Sequence, residues 1–314
     1  MKYVRMGVAL AVAALLVLAV PLVAGCGGDE ESTTDASPTP KEISITDDAG
    51  NEITLEQPAE RVVSLAPSTT EDMFAIGAGG KLVGVSDFCD YPEEALEIEK
   101  VGGFADPNSE KIVSLDPDLV LATVGVQDEV VQQLKDLNVP VCVLDPTTID
   151  GVFTDLEKLG LLVGTEDEAK AVVADLKAAV DEIRSAVADV DKPTVFFEIY
   201  SKPLMTAGKN SIIDDIVTQA GGVNIGSASG EGYGEFSEEV LIKDDPDVYI
   251  AVKGSQDDPG DIVKRPGYDA LSAVQNGTVY VIDDNLVTRS GPRVVEGLRE
   301  VAMMLHPEAF ETSQ

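Results

Sequence analysis

The apolar positions of this chain fall into short runs, alternating or continuous, separated by turn signals. Residues 43–55, ISITDDAGNEITL, alternate on either side of Gly50-Asn51 and predict a β-hairpin. RVVSLAPS (61–68) predicts a buried strand broken at Pro67, TTEDMFAIG a helix, and Ala78-Gly79-Gly80 a turn before the strand LVGVS. Further on, NSEKIVSL predicts a short helix that runs through Asp116-Pro117-Asp118 into the strand LVLAT. QDEVVQQLKDLN predicts an amphipathic helix, VPVCVLD a strand and DLEKLGLLVG a helix. Strands alternating with helices over this length predict an α/β fold with a parallel sheet covered on both faces.

The second half repeats the pattern. TVFFEIY (194–200) predicts a strand, NSIIDDIVTQ a helix, and Ala220-Gly221-Gly222 repeats the turn at 78–80. A segment from Ser237 through Asp245-Pro246-Asp247 into VYIA parallels the one from Ser109 through Asp116-Pro117-Asp118 into LVLA. Asn276 to Asp283 likewise echoes Asn138 to Asp145. Three matches in the same order predict two similar lobes, residues 43–164 and 193–314. Between them, residues 165–192 are rich in Ala, Leu, Glu and Lys, with Thr165 and Glu168 at capping-box spacing and Pro193 as a stop. They predict one connecting helix of roughly 36 Å. Such a helix restrains lobe closure to a small angle and leaves a cleft between the lobes.

The N-terminus follows a different pattern. Lys2 and Arg5 precede an uncharged run from Gly7 to Gly25 that ends at Cys26, which predicts an export signal over 1–25; a retained membrane span is the alternative. Pro21 interrupts the run, and Val23-Ala24-Gly25-Cys26 resembles the lipobox of bacterial lipoproteins. That resemblance implies cleavage, acylation of Cys26 and anchoring to the outer face of the cell membrane. Residues 27–41 hold a single Ala as their only apolar side chain, so 26–42 read as a lipidated cysteine followed by a flexible tether.

Charge and residue counts narrow the chemistry. With 22 Lys+Arg against 57 Asp+Glu, a formal charge of −35 and no basic stripe, the chain is unsuited to nucleic acid. The one histidine, His306, excludes a His-rich metal site and reads as a structural partner at a helix C-terminus. Cys89 and Cys142 are a possible disulfide pair, while the apolar strand around Cys142 equally suits a free buried thiol. Ala207-Gly208-Lys209-Asn210-Ser211 lacks the upstream Gly of a phosphate loop and the hydroxyl residue directly after Lys, and no nucleophile-elbow, dinucleotide or zinc-protease motif occurs. The balance favours a binding protein without a cofactor or resident metal over a tethered α/β enzyme.

Several segments carry a family resemblance in their order and spacing: Arg61–Glu71, Gly84–Pro92, Val101–Phe104, Thr206–Ser211, Gly221–Asn224 and Arg289–Arg293. Over residues 43 to 306 the chain resembles the vitamin B12 and iron-siderophore family of substrate-binding proteins of ABC importers. The resemblance implies two Rossmann-like lobes with parallel-rich sheets joined by a single long α-helix, the rigid type of periplasmic binding protein fold. It implies a monomer that holds a metal chelate between the lobes and hands it to permease and ATPase subunits. Docking on permease arginines is implied for Glu71 and Glu239; Ser68-Thr-Thr-Glu71 also reads as a capping box, with the Glu facing outward. Ligand-binding candidates at the strand ends are Ser68, Phe88, Phe104, Tyr200, Tyr233 and Arg289. Phe104 and Tyr233 stand where the resemblance would place Trp, which the chain lacks. Few cations converge beyond Lys209, Arg289 and Arg293, which favours a nearly neutral chelate, corrinoid ahead of siderophore.

Overall fold

A computed structural model describes residues 42–255 and 258–311; the predicted export signal, Cys26 and the predicted tether up to residue 41 lie outside the described residues. The hairpin forms as the alternation predicts, β1 (Ile43–Thr46) pairing antiparallel with β2 (Glu52–Leu55) so that Ile45, Ile53 and Leu55 are buried. Gly50 turns the chain at φ 80°, and the Asp47 carboxylate accepts the Asn51 backbone N–H at 2.7 Å. Four parallel strands follow, β3 (Val62–Ser64), β4 (Leu82–Val85), β5 (Leu119–Ala122) and β6 (Val141–Val143), in the order β4-β3-β5-β6. Their connections carry α1 (Pro67–Ala75), α2 (Ser109–Ser114) and α3 (Asp128–Asp136).

The lobes are joined by two helices in succession. Thr148 caps α4 (Ile149–Val163) by accepting the Gly151 N–H at 3.0 Å, and left-handed Gly164 ends it at φ 73°. Next, α5 (Glu166–Ala186) runs 21 residues, about 32 Å, and stops six residues before Lys192. The predicted capping box at Thr165 does not form; its hydroxyl is buried without a partner among the described residues. Nor is α5 a free rod. At Gly160 of α4 an added Cβ would stand 2.6 Å from Ala169 Cβ of α5, so only glycine admits this close crossing.

The second sheet is mixed. Three strands run parallel, β7 (Thr194–Ser201), β11 (Val248–Val252) and β12 (Val279–Ile282). A two-residue turn at Lys202-Pro203 folds β8 (Leu204–Ala207) antiparallel onto β7, and β10 (Tyr233–Glu235) adds antiparallel to β8. The short β9 (Val223–Asn224) pairs with β7 outside this path. The helices are α6 (Ile212–Gln219), α7 (Glu238–Asp244), α8 (Pro259–Ile262), α9 (Ser272–Asn276), α10 (Val294–Leu305) and α11 (Pro307–Phe310).

The repeated Asp-Pro-Asp segments adopt the same local structure. Asp116 and Asp245 both take left-handed conformations, φ 48° and 43°, just past α2 and α7. The second aspartate of each segment reaches back to the first strand of its own sheet. Asp118 accepts the Glu60 and Arg61 N–H groups at 2.9 and 3.0 Å, while Asp247 accepts the Thr194 N–H and hydroxyl at 2.8 and 2.7 Å. Each staple pins the strand that enters the middle of its sheet.

One core cluster runs without a break from Val62 and Leu121 of the first sheet through Leu156, Val173 and Leu298 to Phe197 and Ile250 of the second. Two smaller clusters cover the opposite faces, around Val63 and Val120 in one lobe and Phe196 and Tyr249 in the other. Cys89 and Cys142 are free and buried, and burial pushes the Cys142 thiol up. His306 terminates α10 and packs against left-handed Gly221, where an added Cβ would meet its Nε2 at 3.0 Å.

Candidate functional site

Loops at the carboxyl ends of both sheets border one cleft of about 410 Å3, where open α/β sheets place their ligands. Residues 66–68 follow β3, Phe88 follows β4, Thr123 follows β5 and residues 144–146 follow β6; across the gap, residues 284–290 follow β12. Phe104 closes one side.

The first lobe fixes its loops with buried polar contacts. Under α1, Thr70 donates to Ser64 Oγ at 2.7 Å and contacts Cys89 Sγ at 3.1 Å, and Ser86 lies 3.3 Å from the same sulfur. These bonds hold the 86–89 turn that presents Phe88, which is 59% exposed. Gln127, fully buried, donates to the Leu65 and Phe104 carbonyls at 2.9 Å each, and its Oε1 accepts the Thr123 N–H at 2.9 Å. One amide thus ties together three of the loops that line the cleft. The sequence gives only an indirect signal for it, a Gln at the start of an amphipathic helix.

Glu71 departs most from expectation. Helix α1 begins at Pro67 after Ala66, so Ser68 lies inside the helix and no capping box forms. Glu71 does not face outward. It is 3% exposed and accepts from Arg289 Nη1 at 3.0 Å, Arg293 Nε at 2.8 Å and Arg293 Nη2 at 2.6 Å, both arginines coming from the other lobe. Arg289 also donates to Asp90 at 2.7 Å, and Arg293 stacks 4.0 Å over the Tyr91 ring. The Arg289 contact, followed by burial of Asp90, governs that carboxyl and leaves it below its ordinary range. At Gly291, between these arginines, an added Cβ would stand 3.3 Å from the Ser68 carbonyl, so the two lobes touch here. Beneath the clasp, Asp72 is buried with one oxygen unpartnered among the described residues, and burial, then Asp155 and Glu71, raise its carboxyl well above the usual range.

Four of the six ligand candidates, Ser68, Phe88, Phe104 and Arg289, line the cleft. Tyr233 on β10 is 47% exposed, and desolvation first and the Asp145 carboxylate second push its phenol up to about 12. It is not part of the lining. Tyr200, at the carboxyl end of β7 and 50% exposed, is not part of the lining. Glu239 stands exposed in the first turn of α7, after the Ser237 cap. Lys209 is exposed and outside the lining, and Asn210 takes φ 57° before Ser211 caps α6, so the segment that evokes a phosphate loop is a helix cap. Asp145 and Asp284 are lining residues that the sequence did not single out.

Comparison with known proteins agrees with this architecture. Residues 62–286 match the periplasmic binding protein family. The chain is 31% identical to the uncharacterized ABC transporter substrate-binding lipoprotein YvrC of Bacillus subtilis, over 95% of this chain and 97% of that one. Its fold superposes on the periplasmic vitamin B12 binding protein BtuF of Vibrio cholerae with a TM-score of 0.73 at 29% identity, over 81% of this chain and 99% of the other. It also superposes on the periplasmic heme-binding protein RhuT of Roseiflexus sp. RS-1, with a TM-score of 0.72 at 26% identity over 80% and 99%. The chain therefore belongs to the periplasmic binding protein family, whose members bind substrates for transport and are not enzymes.

Proposed function

We propose that this protein is the capture lipoprotein of an ABC importer for a metal chelate, corrinoid ahead of ferric siderophore, anchored through Cys26 to the outer face of the cell membrane. The observation that carries the ligand class is the cleft itself: it offers the aromatic rings of Phe88 and Phe104, while Arg289, the only cation lining it among the described residues, is already paired with Glu71 and Asp90. Haem propionates, ferric citrate and catecholates need several free cations; a large chelate without anionic groups needs apolar walls and few. The relatives named for vitamin B12 favour the corrinoid, and the lipoprotein name of YvrC supports the anchor. In this reading Ser68, Phe104 and Tyr233 contact the ligand, with Tyr200 at the outer edge.

Docking on permease arginines is assigned to exposed Glu239. Glu71 meets such a partner only by exchanging it for Arg289 and Arg293. Reversal of Glu239 to Arg should therefore stop uptake and leave chelate affinity intact, whereas reversal of Glu71 should first weaken the join between the lobes. Native mass spectrometry and thermal shifts of the purified folded body against cobalamin, ferric hydroxamates and haem test the ligand. A stabilising chelate released unchanged supports the reading; its chemical turnover overturns it.

A further inference from the structure

Two carboxylates face the cleft from opposite lobes, Asp145 after β6 and Asp284 after β12. Neither side chain has a hydrogen bond or ion pair among the described residues, whereas in the clasp Glu71 and Asp90 are matched by Arg289 and Arg293, and beside Asp145 the carboxyl groups of Asp48 and Asp155 share Lys158, which leaves no surplus cation there. The paired groups cancel, so two negative charges are left over at the cleft. The N-terminus of α1 at Pro67 points a partial positive charge of about +0.5 toward the same region, which offsets only part of them. Burial, and secondarily Asp48, already hold the Asp145 carboxyl above its ordinary range, so this group gains from a cationic neighbour.

We propose that the cleft selects chelates with a net positive charge, recognised by Asp145 and Asp284 from the two sides, an inference that rests on the chelate-receptor reading above. The aromatic walls accommodate the apolar shell of such a ligand, and their faces tolerate a cation. For a monocation roughly 8 Å from each carboxylate at an effective dielectric of about 40, reduced by screening, the preference over a neutral analogue is on the order of tenfold. Two kinds of ligand share this chemistry: a corrinoid lacking the phosphate-bearing nucleotide loop, and a trihydroxamate siderophore with a free amine.

Calorimetric titration of matched pairs tests the inference and separates the sources. Diaquacobinamide is compared with neutral dicyanocobinamide, and cationic ferrioxamine B with its neutral N-acetyl derivative. The expected result, in whichever scaffold binds, is about tenfold tighter binding of the cationic member, with the advantage shrinking as salt rises. In the double variant Asp145→Asn, Asp284→Asn the two members should bind alike. Equal affinities in the unmodified protein, or tighter binding of a neutral chelate or of haem, would overturn charge selection and leave the receptor function standing. Failure of every chelate, haem included, would overturn both. The unmodified protein decides the matter even if the variant folds poorly.

Discussion

Replacing Glu71 by Ala removes the acceptor at the centre of the inter-lobe clasp. Three charge-assisted contacts of 2.6–3.0 Å disappear, and two guanidinium groups whose side chains are only 15% and 17% exposed lose their shared counter-charge. Breaking a buried ion pair from one side costs about 3–5 kcal/mol. Arg289 keeps Asp90 at 2.7 Å and both arginines retain some water, so the lower end, about 3 kcal/mol, is expected. Equilibrium unfolding in urea should show this as a lower midpoint with an unchanged slope, and thermal unfolding as a fall of about 5 °C. A cycle pairing Glu71→Ala with Arg293→Ala should reveal coupling of about 1–3 kcal/mol. A loss below about 1 kcal/mol with additive effects would show that the clasp is solvated and contributes nothing to joining the lobes.

Other perturbations test separate parts of the structure. Asp155 lies buried beside Lys158, and desolvation raises its carboxyl to about 7, so the unfolded chain ionises near pH 4 while the folded one holds its proton. Stability should therefore fall as pH rises from about 4 to about 7, by up to about 1.4 kcal/mol per unit, and Asp155→Asn should flatten that slope in urea titrations across the range. Gln127→Leu strands the Thr123 N–H and two carbonyls, for an expected loss of about 3 kcal/mol together with weaker chelate binding as Phe104 loosens; unchanged affinity would separate the amide from the site. Asp118→Ala and Asp247→Ala should each destabilise by about 1–2 kcal/mol in denaturant titrations, and very unequal losses would show that the two staples are not equivalent.

The parts of the fold that depend on local pattern could be read from the sequence. Alternation around Gly50-Asn51 gave the hairpin, continuous apolar runs gave β3, β5, β6, β7, β11 and β12, and the paired Asp-Pro-Asp segments marked equivalent turns. The hairpin between β7 and β8 was missed because its turn, Lys202-Pro203, lacks the Asn-Gly or Gly-rich signature, and because β8 and β10 are too short to show a period. In the site, four of the candidates drawn from the strand-end rule, Ser68, Phe88, Phe104 and Arg289, border the cleft. It could not reveal that Glu71 is buried, because its partners lie more than 200 residues away along the chain. Asp145 and Asp284 were hidden by abundance: among 57 acidic residues nothing local marks the two that border the cleft.

The unbroken core from Val62 to Ile250 has a consequence for how a transporter senses this protein. In a receptor whose halves swing shut, the jaw's position announces the cargo, and part of the binding energy is spent on closing it. Here the halves are welded through α4, α5 and α10, so occupied and empty forms present nearly the same outline. Occupancy must then be communicated at the mouth of the cleft, by the exposed face of the bound substrate.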